Sequence, residues 1–437
     1  MLWLVPFVWI CWSSPAEAYP WMIRHAYGGC LTCHTDPSGG ELLTPYGRVQ
    51  GDLLLRMRYG GATAHATADA SADFDSFDSF DSFDEETEAP AEAEAEKPAP
   101  PPEPVEEPAE APTGFLWGLI DLPEWLLLGG SYRHLNVLRP GEEESFSTFP
   151  MQADLYGQVQ FSRFLAGGSI GVAKVEPGSP HARRAQITTN QGNEWNLISR
   201  THYVGLALGS QNEFIVRGGR LNLPFGVRIP EHTMWVREAT RTDRDSDQQH
   251  GVALAYAGES FRAEVMAIAG NYQINPDRLR ERGYSLYLEG MLANWAAVGV
   301  SSLFTTAEAD IATLAEARTN REAHGVFARL AVVPPLVILA EANVLMRTDA
   351  DAGYVGFVQA DFEVVQGLHF MATGELLDAG LPTSPEGVEA SPGLGQTRYG
   401  GWLSVDWFFL PQLEARVDAV FRTDDPFTLL GQLHVYL

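Results

Sequence analysis

Beyond residue 115 the chain runs in stretches of about ten residues in which apolar and polar side chains alternate at every second position. That period belongs to β-strands with two unlike faces. In Gln412–Arg422, Leu413, Ala415, Val417, Ala419 and Phe421 fall on one face, and Glu414, Arg416, Asp418 and Arg422 on the other. Ala340–Arg347 repeats the scheme, with Glu341, Asn343 and Arg347 opposite Ala340, Ala342, Val344 and Met346. Val358–Val364 sets Gln359, Asp361 and Glu363 on one side. Two all-β architectures use such strands. In a soluble sandwich the charged face meets water and the apolar face packs on a partner sheet. In an outer-membrane barrel the apolar face meets lipid and the charged face lines a wet lumen.

The connections separate the two. About 16 strands are expected, at 125–139, 149–162, 164–176, 197–208, 213–225, 249–258, 261–272, 282–293, 296–306, 321–333, 336–347, 354–366, 368–378, 397–409, 412–423 and 427–437. Tight turns fall near Phe164, Gln211, Glu259, Asn294, Pro335, Gly367 and Pro411, and longer loops at 177–196, 226–248, 307–320 and 379–396. Short turns at one end and long loops at the other are the outer-membrane pattern. The fold class expected for 115–437 is therefore a transmembrane antiparallel β-barrel, with outer-membrane lipid around it. The last strand, Leu429 to Leu437, resembles the C-terminal targeting strand of such barrels, although those usually end in Phe.

The amino-terminal part is built differently. Residues 1–12 are almost wholly apolar and Ala16-Glu17-Ala18 follows, so a signal peptide over 1–18 is expected, although no Lys or Arg precedes the apolar run. That run is too short for a span, which needs about 20 apolar residues. Then comes Cys30-Leu31-Thr32-Cys33-His34, the spacing at which one c-type haem is attached covalently. Each thiol can add to a vinyl group of the porphyrin, and the adjacent histidine can ligate the iron. A zinc site needs further ligands nearby, such as a second Cys pair, and none follows. His34 is the expected iron ligand and His25 the favoured sixth ligand, with Met22 and Met57 as alternatives. Arg24 and Arg48 are candidates to pair with haem propionates. Gly39 and Gly40, with Pro37, read as a turn. The haem module is assigned to 19–60 and should be small, mainly helical or irregular, because it is too short for a core of its own.

Residues 61–114 separate this module from the barrel. Between Asp73 and Glu110 lie 15 acidic residues and one Lys, a net of −14, which is half of the chain's −28. The stretch is rich in Phe-Asp-Ser repeats, Ala-Glu alternation and proline, so a disordered acidic linker is expected. A chain this acidic is a poor nucleic-acid binder. It carries no Ser/His/Asp, phosphate-loop or dinucleotide signature, and no bond chemistry on an organic substrate is expected of it.

The pairing of Cys30-Leu31-Thr32-Cys33-His34 with Leu43-Thr44-Pro45-Tyr46-Gly47-Arg48, ahead of a barrel, resembles the fused outer-membrane monohaem cytochrome c–porins of iron-oxidising bacteria. The residue-level likeness covers about 20 residues, and the architectural likeness the whole chain. The resemblance implies electron transfer across the outer membrane through the single haem. Its partners would be an extracellular donor or acceptor, ferrous iron among them, and a periplasmic carrier. A diffusion porin with an accessory or sensory haem is the alternative. The charged stretch from Arg228 to Gln249 reads as a solvated loop, ahead of a lumen constriction or a metal site at Glu231, His232 and nearby Asp residues.

Overall fold

In the computed structural model the alternating stretches pair into one closed sheet. The described residues are 20–25, 29–57, 114–141, 144–174, 184–190, 195–210, 212–231, 233–271, 278–309, 317–348, 350–381, 395–410, 412–423 and 425–437. The signal peptide expected at 1–18 lies outside them, as does the acidic linker expected at 61–114 apart from its last residue. The strands are β1 (Leu126–Arg139), β2 (Ser145–Phe161), β3 (Phe164–Lys174), β4 (Trp195–Ile198), β5 (His202–Leu208), β6 (Phe214–Leu221), β7 (Gln249–Ala257), β8 (Phe261–Gly270) and β9 (Arg282–Ala293). They continue as β10 (Ala296–Ala307), β11 (Thr319–Val333), β12 (Leu336–Arg347), β13 (Ala350–Val365), β14 (Leu368–Asp378), β15 (Arg398–Leu410), β16 (Leu413–Arg422) and β17 (Asp425–Tyr436).

Every pairing in the sheet is antiparallel, and β17 closes on β1 from Ser131↔Tyr436 to Leu138↔Leu429. Because β4 and β5 both pair with β3, they are two parts of one stave, and the barrel has 16 strands. Closure leaves no unpaired edge, which hydrocarbon would not tolerate. Connections at the end holding Phe161, Trp295 and Gly367 are none longer than five residues. The long ones (175–194, 222–248, 271–281, 308–318 and 379–397) are all at the other end.

The two faces sort as the alternation requires. Phe370 of β14 and Val417 of β16 point outward, 47% and 54% exposed, while their neighbours His369 and Arg416 are buried inside. Exposed aromatics ring both rims. Trp125, Phe161, Phe164, Trp295 and Trp407 lie toward the short turns, and Phe146, Tyr284, Tyr354, Tyr399 and Phe421 toward the long loops. Such girdles sit at the lipid–water interfaces.

Two local departures from the expected strands have physical causes. Strand β2 begins at Ser145, earlier than expected at 149, and runs through Pro150. The register skips Met151, with Arg133 opposite Gln152 and His134 opposite Pro150. A proline, which cannot donate to a ladder, is tolerated beside such a bulge. The single strand expected at 197–208 is broken at Ser199–Thr201, where three residues oppose Ser169 and Ile170. Thr201 O and N bond Ser169 N (2.8 Å) and Oγ (3.1 Å), which holds the bulge and turns Arg200 and Thr201 inward.

Much of the lumen is occupied by the chain itself. Wall carboxylates that face it are almost inaccessible: Glu289 is 1% exposed, Glu341 2% and Asp361 0%. Two segments cover them. The first is 20–57, which belongs with the barrel to one compact unit. The second is 222–248, and here the expectation of a solvated loop is wrong. Its helix Trp235–Thr240 packs on β12, β13 and β14. The loop's charges are matched by the wall, which is why a charged sequence folds inward. Glu341 accepts from Val227 N (2.8 Å) and from Arg237, Glu375 accepts from Trp235 N (2.9 Å), and Arg416 donates to Glu231 (2.7 Å). Trp21, Met22 and Ile23 of the first segment join Val227, Ile229, Met234 and Trp235 of the second, together with Phe327, Leu339, Phe357 and Phe408 of the wall, in one buried apolar cluster. Full burial of each such side chain contributes roughly 1.5–3 kcal/mol.

Glu341→Ala leaves Arg237 buried without its carboxylate and frees the Val227 N–H. Breaking one partner of a buried pair costs about 3–5 kcal/mol. The expected result is faster protease cleavage within 222–248 while β-sheet circular dichroism is retained.

Candidate functional site

The Cys30–His34 stretch is a single turn, with Cys33 N and His34 N both donating to Cys30 O (3.2 and 2.9 Å). A short antiparallel pairing holds it, His34 bridging to Leu43, Thr35 N donating to Leu42 O (3.0 Å) and Thr44 N to Cys33 O (2.8 Å). The run that carries the family resemblance is what builds this support. Thr44 Oγ1 accepts from Gly47 N (3.0 Å) and caps the helix Pro45–Gln50, and Pro45 suits its first turn. Gly47 passes so close that a Cβ there would lie 2.2 Å from Cys33 O. Arg48 donates to Gly114 O (2.5 Å) and to Leu128 O of β1, tying the helix to the short-turn rim.

Between the paired halves lies the expected Pro37–Gly40 turn. Gly39 and Gly40 have φ of 77° and 86°, and a Cβ on Gly40 would also collide with the Arg244 guanidinium. The turn aims Gly40 O at His34 Nδ1, 2.8 Å away. With Nδ1–H donating there, Nε2 keeps its lone pair, the form a metal-ligating imidazole needs. Burial, aided by Arg244, lowers His34 to about 4, so the ring is neutral. Cys30 and Cys33 form no disulfide; Cys33 is buried, and Arg262 Nη1 lies 3.8 Å from Cys30 Sγ.

The wall grips this segment at several depths. Asp36 pairs with Arg217 (2.9 Å), and Thr201 Oγ1 donates to Glu41 (2.7 Å). Burial works to raise the Asp36 carboxyl, but Arg217 and Arg228 outweigh it and hold the group well below the usual range. Burial takes Glu41 up to about 7. At the rim, Gln366 donates to Leu53 O (2.7 Å) and Arg56 O (3.0 Å), and Met57 N donates to Phe408 O (2.8 Å).

Cys33 and His34 open on a lumen cavity of about 170 Å³. Leu43, Leu55, Met22 and Phe408 supply apolar wall, and Arg133, Arg200, Arg228 and Arg244 supply charge. Arg228 Nε and Nη1 are buried there without hydrogen-bond partners. Apolar walls, an imidazole with a free lone pair and unpaired guanidinium donors fit a haem with two carboxylate tails.

The other residues expected from sequence fall as follows. Arg48 lines the cavity, although its bonds go to backbone carbonyls. Arg24 is taken up by Asp361 and Glu363 (3.2 Å to the latter) and stacks on Trp21. His25 Nε2 is 3.8 Å from Glu363. Burial lowers its pKa, and the residue is absent from the cavity lining, where Met22 stands. Glu231 bonds Arg416, and His232 lies outside the described residues. Arg133, Arg200, Arg228 and Arg244 were not placed at the site by sequence, because barrel closure and the inward fold of 222–248 bring them beside position 33.

No protein-family model and no curated protein matches the chain. Solved structures do. Vibrio cholerae OmpT, an outer-membrane protein, aligns over 71% of this chain and 99% of its own at 12% identity and TM-score 0.52. Salmonella typhi OmpF aligns over 71% and 97% at 10% identity and 0.51. Pseudomonas putida OprB aligns over 71% and 94% at 11% identity and 0.50. The fold is thus a porin-like outer-membrane barrel.

Proposed function

We propose that this chain is an outer-membrane electron conduit, a porin-like barrel whose lumen carries one haem c on Cys30 and Cys33 with His34 on the iron. What supports the reading is the cavity beside Cys33 and His34, inside the barrel wall and lined by five arginines. When bound, the haem supplies a one-electron ferric–ferrous couple. The chain's own residues do the rest. Gly40 O fixes the His34 tautomer, Arg228 and Arg244 offer counter-charge to carboxylates, and the packed cluster of Trp21, Met22 and Phe408 keeps water away.

The apolar belt of such a barrel is about 25 Å tall. A redox centre confined to the periplasm would face an insoluble donor across all of it. The 20–57 segment enters and leaves at the short-turn rim, while Asp36 and Glu41 reach residues well inside the wall, which shortens that distance from both sides. The donor is ferrous iron or another extracellular reductant, the acceptor a periplasmic carrier, and the reverse flow uses the same path. The porin-like fold also supports the alternative, a diffusion porin with an accessory haem, and solute flux without electron transfer would distinguish it. The test is one covalent haem per chain, read by peroxidase staining after denaturing electrophoresis and by optical absorbance. An unstained band refutes the proposal.

A further inference from the structure

The chain inside the lumen does not fill it evenly. The stretch 20–25 packs on β11 and β12, and the helix Trp235–Thr240 on β12, β13 and β14. Further round the wall, a second cavity of about 480 Å³ lies between the inward faces of β16, β17 and β1 and the loop residues Pro230, Glu231 and Thr233. Val417, Leu433 and Tyr132 point outward, so their neighbours Asp418, Gln432 and Arg133 point into this space.

The long side chains of β16 are tied elsewhere, which keeps the space open. Arg422 donates to Glu375 of β14 (2.7 Å) and to Thr233 O (2.8 Å), and Arg416 to Glu231 (2.7 Å) and Asp418 (2.9 Å). From β17 and β1 shorter side chains face it, among them Val137, Leu430 and Gln432.

The cavity runs lengthwise. One end includes Arg139, Asp425 and Pro426, at the long-loop rim. The other includes Arg133 and Tyr436, which with Pro230 also line the cavity beside Cys33 and His34, so the two spaces meet there. At about 3.3 Å per residue, the stretch from Arg133 to Arg139 covers about 20 Å. Arg133 is held at the junction by Asp245 (3.1 Å), and Tyr436 by Glu414.

Dry cavities are apolar, and a roomy space with charged walls holds water. Glu231, 7% exposed, lines this one with its Oε2 unpartnered, an acceptor left for water or a solute. Among the described residues the lining carries four carboxylates and four arginines, so size rather than sign of charge governs entry. We infer that this is an access passage through which small hydrated solutes pass from the long-loop end to the cavity beside Cys33 and His34, narrowest at Arg133 and Tyr436 and closed to folded proteins. The passage belongs to the wall and the inward loop; only its consequence for electron transfer, that a partner met through it is a small dissolved species, rests on the haem reading.

The test is the rate at which a small charged thiol reagent modifies one introduced cysteine in the detergent-solubilised full chain carrying Cys30→Ala/Cys33→Ala. No readout uses haem, so failure here is separate from an unstained band. Gln432→Cys is expected to react about tenfold or more faster than Val337→Cys in the packed cluster, and to resist a maleimide fixed to a folded protein. Val137 pairs with Leu430, nearer the long-loop rim than Gln432. Val137→Trp is therefore expected to slow the small reagent at Gln432→Cys by about tenfold or more. Leu430→Trp is the variant to read if Val137→Trp loses the heat-modifiable migration of a folded barrel. A Gln432→Cys rate no greater than that of Val337→Cys, equal reaction with the protein-borne reagent, or a rate unchanged by the folded Trp variant overturns the proposal.

Discussion

A chain lacking residues 20–57 is expected to conduct ions through a wider pore than the intact chain. The segment covers the inward face of the wall. Arg24 occupies Asp361 and Glu363, Asp36 occupies Arg217, and Trp21 rests against the rings of His369 (4.4 Å) and Phe408 (6.3 Å). Removing it returns these charges to water, which they line in an ordinary porin. The closed wall is unaffected, because β17 pairs with β1 without help from the segment. Single-channel recording in planar bilayers reads the result. A deletion variant that folds and stays as closed as the intact protein would show that the segment does not obstruct the lumen. Glu341→Ala combined with the deletion is expected to widen the pore further, since the loop 222–248 then loses its anchor on β12.

The second large effect is chemical. Cys30→Ala/Cys33→Ala is expected to abolish covalent haem altogether while leaving the barrel assembled. Cys30 meets the Arg262 guanidinium at 3.8 Å, and Arg262 keeps Glu289 as its ion pair. Loss of two small sulfur atoms from this region costs about 1 kcal/mol each, within the range of ordinary single substitutions. Haem staining should therefore vanish while the heat-modifiable shift of the barrel on gels persists. Stain retained by the double variant would mean that the porphyrin is held elsewhere.

The strands were legible because period-two alternation reports both faces at once. Glu414, Arg416 and Asp418 against Ala415, Val417 and Ala419 could be sorted without coordinates, and the structure sorts them the same way. The turn at Gly39–Gly40 was legible for a similarly local reason. What failed was anything set by a distant partner. The stretch from Arg228 to Gln249 looked solvated because its charges were visible and their counterparts were not. Glu341, Glu375 and Arg416, more than a hundred residues away, turn it into lumen packing. Strand β2 starts at Ser145, ahead of the expected 149, because its pairing with β1 continues past the bulge beside Pro150, a property of the pair and not of the local sequence. At the candidate site, the motif named Cys30, Cys33 and His34, but the arginines beside them come from β1, the 199–201 bulge and the inward loop. His25 was favoured on spacing alone, whereas Met22 shares the cavity with His34.

The most direct measurement uses proteoliposomes that enclose an electron-accepting dye, with a membrane-impermeant reductant added outside. Reduction of the enclosed dye is predicted for the haem-loaded protein, and none for Cys30→Ala/Cys33→Ala at equal barrel density. Haem-loaded protein that leaves the dye oxidised, or a double variant that reduces it equally fast, contradicts an electron path through this lumen.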